Sequence, residues 1–312
     1  DLVQINSMIV QSVRAGDLEG RIDQLQQSLN AGLQGLQPVT SDTEQAAEFV
    51  AKRDELLAEL KGAEAETSLQ SKTVIVEKLL GSSQVFIKLV ASQAGLSQDP
   101  QRQVRQITEL ITNVTPQITD VLSQGRAIGA YSLGQGFLNS AASTQFDDLL
   151  LQLEKLHAEY GLNLQEALAG NVAAQNGLGS LAEASRQSLK DSGVLFEDQV
   201  IIADSLDTPW AQFYDQVSQE MARTYAFNDG LLAFLDSQLS ERLAENRAQM
   251  VLLVVALVVV FLLIVYLYSG FYVSTRSTLK NLGKVMDRVA AGDMTANFQA
   301  QSRDELGELG QV

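Results

Sequence analysis

Apolar residues recur at every third or fourth position along almost all of this 312-residue chain, and no stretch alternates with the period of two that a strand requires. Leu2, Ile5, Ile9 and Val13 already keep helical spacing. The chain is therefore expected to begin inside a helix, which runs on through Leu18, Ile22, Leu25, Leu29 and Leu33 to the GLQP at 35–38. Ser41-Asp42-Thr43-Glu44 reads as a capping box that opens a second helix. That helix meets no proline before GLSQDP at 95–100 and is expected to run unbroken that far. Asp99-Pro100 predicts an N-cap followed by proline at the first helical position of a third helix, which Pro116 should kink. Another helix start is expected between Ser143 and Asp147. Gly170, Gly177 and Gly179 break the pattern over 170–206. Asp207-Thr208-Pro209 then opens a last helix, whose apolar stripe of Trp210, Phe213, Val217, Met221, Phe227, Leu231, Leu235, Leu239 and Leu243 meets no stop signal. The expected fold is all-α, an elongated antiparallel helical bundle of two stacked modules.

The same last helix leads into MVLLVVALVVVFLLIVYLYSGFY, residues 250–272, which contain no charge. At ~1.5 Å per residue a run of this length covers the ~30 Å hydrocarbon thickness of a bilayer. Tyr266, Tyr268, Phe271 and Tyr272 gather at its end, where an interfacial aromatic belt belongs. Arg276, Lys280, Lys284 and Arg288 follow it, whereas Arg242 and Arg247 before it are mixed with Glu241 and Glu245. The excess of basic residues places the C-terminal side in the cytoplasm. Residues 1–249 then form an extracytoplasmic, periplasmic domain, 250–272 a transmembrane helix, and 273–312 a cytoplasmic segment in the inner membrane of a Gram-negative cell. An earlier transmembrane helix is expected upstream of Asp1.

Charge sharpens this division. Of 38 acidic and 22 basic residues, 33 and 17 precede residue 250, so the whole net charge of −16 belongs to the outer region. Such a surface repels nucleic acid, which is excluded as a partner. The absence of cysteine excludes disulfides, thiol catalysis and cysteine-ligated metals, and the single His157 leaves no histidine-pair metal site. His157 is expected as a solvated or half-buried helical residue. No phosphate-binding loop or catalytic constellation is present, so neither enzymatic activity nor a cofactor is expected.

Beyond the membrane segment, Leu279, Leu282, Met286 and Val289 form the a/d seam of a short coiled coil. Gly292-Asp293 should break that helix, and Asp304-Glu305-Leu306-Gly307 should head a second one. Helix, connector and helix directly after a membrane span resemble the HAMP linker of bacterial transmembrane receptors. Ser277 and Thr278 stand where many such linkers carry proline. The outer region, through ASQAGLSQDP at 91–100, Pro116, GRAIGA at 125–130 and YAFNDGLLAFLDSQLSERL at 225–243, resembles the helical sensor domains of methyl-accepting chemotaxis proteins.

The resemblance implies a homodimeric transmembrane receptor, most naturally one for chemotaxis, with a downstream adaptor and histidine kinase as partners and an output region after Val312. A sensor histidine kinase or diguanylate cyclase front end is the alternative, and an adhesive or structural stalk is a second one. For ligand binding, GRAIGAYSLGQGF offers Arg126, Tyr131 and Gln135, with Gly125 and Gly129 on one face. An arginine held inside a bundle suits a small organic acid or another anion, because its fork binds a carboxylate bidentately. Alternatively Arg126 pairs with a surface acid and the glycines serve packing. Arg223 and Tyr225 are a second candidate pair. A ligand-loaded periplasmic binding protein could replace the free ligand as input.

Overall fold

The computed structural model describes residues 2–66 and 69–293. Eight α-helices follow one another with no strand among the described residues: α1 (Leu2–Gly35), α2 (Thr43–Ala65), α3 (Leu69–Gln93), α4 (Arg102–Glu109), α5 (Thr115–Gln135), α6 (Ser140–Leu168), α7 (Val172–Phe196) and α8 (Trp210–Ala290). The chain divides into two compact units, Asp1–Ser237 and Gln238–Val312.

Within the first unit, α4–α5, α6, α7 and the start of α8 make an up-down-up-down four-helix bundle. Cross-helix pairs fix its register. Tyr160 reaches Ser185 and His157 reaches Arg186 between α6 and α7; Arg126 reaches Ser218 and Thr115 reaches Asn228 between α5 and α8. In each case a residue later on one helix meets one earlier on the other, so these neighbours are antiparallel. Phe146, Phe196 and Phe213 stack tilted in the core at centroid separations of 5.6 and 6.1 Å, and Tyr160 meets Phe227 edge-on. A second apolar cluster joins Leu33 of α1 to Phe49 and Leu56 of α2 and Phe86 of α3.

The expected single helix over 44–95 is two helices. Glu66 leaves α2 in an extended conformation, and α3 returns along α2, as the Glu59–Lys78 ion pair and the bond from Gln93 to the Gln45 carbonyl show. Folding back lets the apolar stripes of both halves bury each other, Phe49 against Phe86 at 5.1 Å. The helix begins at an Asp42 cap, one residue after the expected Ser41, because the carboxylate accepts from both Glu44 N and Gln45 N.

Pro100 does not occupy the first helical position. Asp99 is buried and accepts from Gln101 N (2.9 Å), closing a turn, and α4 starts at Arg102. Pro116 is accommodated without breaking the bundle. A π turn, Leu110–Val114, widens the helix just before it, and the Thr115 hydroxyl satisfies the Leu110 carbonyl. The next helix starts earlier than Ser143, at an Asn139 cap whose side chain accepts from Ala142 N. Gly170 makes the left-handed turn before α7, which then continues unbroken through Gly177 and Gly179 to a second π turn, Glu197–Ile201. α8 starts where Asp207-Thr208-Pro209 predicted.

In the second unit α8 continues through residues 250–272, none of which is buried, to Ala290. It ends on Gly292 at φ +96.

Candidate functional site

Two places merit description as functional sites: the arginine-bearing face of α5 and the end of α8.

On α5, Gly125 and Gly129 are one turn apart and both buried. The ring of Phe196 lies over the first and that of Phe213 over the second, so close that a Cβ on either glycine would fall 2.3 Å from a ring carbon. The glycine face is therefore filled by aromatic side chains, and its role is packing. Arg126 follows on the half-buried flank. Its Nη1 donates to Ser218 Oγ (2.8 Å), and its guanidinium carbon sits 4.4 Å from the centre of the Tyr214 ring, a cation–π contact. Ser218 Oγ in turn donates to the Tyr214 carbonyl. On the same stretch of α8, Asp215 pairs with Arg14 of α1. Arg126 thus meets a hydroxyl and a ring instead of a carboxylate, and makes no ion pair among the described residues.

Tyr131 and Gln135 lie elsewhere. At ~100° per residue, Tyr131 is turned ~140° from Arg126 around the helix and Gln135 ~180°. Both are exposed. The structure does not gather the three around one point. The second candidate pair also separates: Arg223 is held by Asp191 and Glu220, each at 2.9 Å, while Tyr225 is exposed.

Sequence reasoning missed a line of buried hydroxyls between α6, α7 and α8. Ser185, Ser188, Ser192 and Thr224 are completely buried. Tyr160 donates to Ser185 Oγ (3.0 Å), and the Ser185 and Thr224 hydroxyls are 2.9 Å apart. Burial pushes the Tyr160 hydroxyl well above its ordinary range, so it stays protonated. Ser192 Oγ is buried with no hydrogen-bond partner among the described residues. Nearby, Glu220 is raised from the usual carboxylate range, first by burial; Arg223 counters this and Asp191 adds to it. Serines at spacings of three and four were the available signal, but serine alone does not announce burial. His157 is half-buried, with Arg186 Nη1 3.2 Å from its Nε2.

At the end of α8, Gly292 N bonds to the Val289 carbonyl and Asp293 N to the Arg288 carbonyl, both 3.0 Å. This is a Schellman cap, which requires the left-handed residue that glycine supplies most cheaply. The Arg288 side chain closes over it, with Nη2 2.6 Å from Asp293 Oδ2. Gly292 and Asp293 thus end the helix where the sequence places the connector. Asp304, Glu305, Leu306 and Gly307 lie outside the described residues. Among the described residues no cluster of side chains suits a metal ion.

Residues 274–312 match the family model of the HAMP domain. No curated protein and no solved structure matches the chain. The HAMP domain is a signal-transduction linker of membrane receptors, among them chemoreceptors, histidine kinases and cyclases. The match supports a bacterial signal-transduction receptor with a HAMP linker. Together with the apolar part of α8 it is consistent with an inner-membrane protein.

Proposed function

We propose that this chain is the input and transmission half of a homodimeric chemoreceptor, in which a periplasmic helical bundle senses a small molecule and α8 relays the change to the HAMP linker. One observation carries this reading: α8 is a single helix that holds the bundle core residues Phe213, Val217, Phe227 and Leu231, the uncharged residues 250–272, and the start of the HAMP match. A shift or rotation of that helix in the bundle needs no further joint to reach residue 274. Only ligands that bind one arrangement better than the other can drive it.

Arg126 supports an anionic input. It faces Ser218 and Tyr214 on α8, so a carboxylate competing for its guanidinium would act on the transmitting helix directly. A thermal-shift screen of the chain in lipid nanodiscs against organic acids, amino acids and nitrate tests direct sensing. A compound that raises the melting temperature of the wild-type chain but not of Arg126→Ala supports the site. If no compound raises it, direct sensing of these classes fails and a ligand-loaded binding protein becomes the input.

A further inference from the structure

The Asp1–Ser237 unit contains a cavity of about 500 Å³ that the receptor reading does not use. It is lined by the end of α1, α2, α3, Leu96, the α4–π segment and Leu232 and Leu235 of α8. Its floor is closed by buried residues, Leu33, Leu56, Phe86 and Ala91. Its rim is exposed and apolar, with Leu29, Leu36, Leu80, Ile87 and Leu232. The form is a pocket with a mouth, within the ~300–1,000 Å³ typical of small-molecule sites.

The chemistry of the lining is narrow. Among the described residues only three of its side chains are polar, and each hydroxyl is already committed to its own helix. Ser83 donates to the Leu80 carbonyl (2.7 Å), Thr108 to that of Val104 (2.7 Å), and Thr112 to that of Thr108 (2.9 Å). Among the described residues no charged group lines it. An ordered water needs two to four polar partners, which this wall does not offer. An anion would lose its hydration and gain no donor.

We infer that this cavity binds an uncharged, apolar small molecule or acyl chain, held by contact alone. The site is separate from Arg126 and takes the opposite chemistry. Its occupant would touch two elements suited to report it. Ile111 and Thr112 belong to the π turn, where the helix has already departed from regular bonding. Leu232 and Leu235 belong to α8. Any sensory consequence of occupancy rests on the receptor reading; the binding itself does not.

The test uses the full chain in lipid nanodiscs and 3-trifluoromethyl-3-phenyldiazirine, an uncharged probe that inserts into nearby C–H bonds on irradiation. Adducts are mapped by peptide mass spectrometry. Residues 250–272 provide an internal control, since lipid-dissolved probe labels them whether or not the cavity binds. Saturable labelling is expected in peptides carrying Leu33, Phe86 and Ile111, falling about tenfold in Ala91→Trp, which fills the cavity, with labelling of 250–272 unchanged. Competition by toluene on the wild-type chain gives the same answer should that variant not fold. Native mass spectrometry separates the sources: a co-purified lipid mass identifies an acyl chain, and its absence with toluene competition identifies a diffusible hydrocarbon. Labelling confined to 250–272, or bundle labelling that rises linearly with probe, overturns the inference. Because signalling is not read, this outcome would leave the receptor reading intact.

Discussion

Phe196 at the end of α7 covers Gly125 of α5 so closely that the glycine has no room for a methyl group: a Cβ would lie 2.3 Å from Cζ and 2.4 Å from Cε2 of the ring. The ring cannot swing aside, because Phe146 and Phe213 hold it at 5.6 and 6.1 Å. Gly125→Ala should therefore destabilise the bundle by about 1–3 kcal/mol despite the better helix propensity of alanine. Gly81, inside α3 with open space around it, gives the contrast. Gly81→Ala should stabilise by up to about 1 kcal/mol. Thermal melts followed by circular dichroism check both, and equal shifts of one sign would refute the packing account of Gly125.

Glu220 makes the stability of the bundle pH-dependent. Its folded-state carboxyl is raised, chiefly by burial, so the folded chain holds that proton more tightly than the unfolded chain does. The contribution is fully present below the ordinary value of 4.5 and is lost as pH rises through the raised one. Glu220→Gln cannot ionise. The melting temperature of this variant minus that of wild type should accordingly grow between pH 4.5 and neutrality. A difference that stays flat or shrinks would show that Arg223 outweighs burial.

Gly292 carries the cap at the end of α8. Its φ of +96 is costly for any residue with a Cβ, by about 1–2 kcal/mol. Gly292→Ala should loosen the last turn, with faster hydrogen exchange at the amides of positions 292 and 293 and no change in the melt of the bundle. Exchange at the wild-type rate would mean that the cap tolerates a side chain.

Arg126 is held to α8 by a hydroxyl and a ring, and its two contacts can be separated. Arg126→Lys keeps the charge over Tyr214 but loses the planar fork. If a carboxylate binds here, its affinity should fall in Arg126→Lys and more so in Arg126→Ala, as isothermal titration would show. Equal affinity in all three would remove Arg126 from the site.

What the sequence disclosed follows from where each signal lives. The start of α8 and the turn at Gly292 are local patterns that stand where read, and the uncharged residues 250–272 lie within α8. The break between α2 and α3 escaped because no proline or positive-φ glycine marks it. It exists because Phe49 and Phe86 bury each other. Gly125 and Gly129 were legible as a close-packing face, but the rings that fill it come from Phe196 and Phe213, far along the chain. The buried serines of α7 and the apolar cavity are likewise products of tertiary pairing. The cavity draws on five helices, and no segment of it is unusual alone.

The central claim is that a change in the bundle reaches the HAMP linker through α8. The chain has no cysteine, so Met286→Cys on the coiled-coil seam introduces a single thiol. The measurement is the rate of disulfide formation between two copies of the full chain in nanodiscs, with added diamide taking up the two electrons and two protons, with and without a compound that raises the melting temperature. Binding should change the rate by about fivefold or more, the lower range of allosteric coupling, and a four-glycine insertion between Glu245 and Asn246 should abolish the change while leaving binding intact. A rate indifferent to a bound compound, or a response that survives the insertion, would contradict the account.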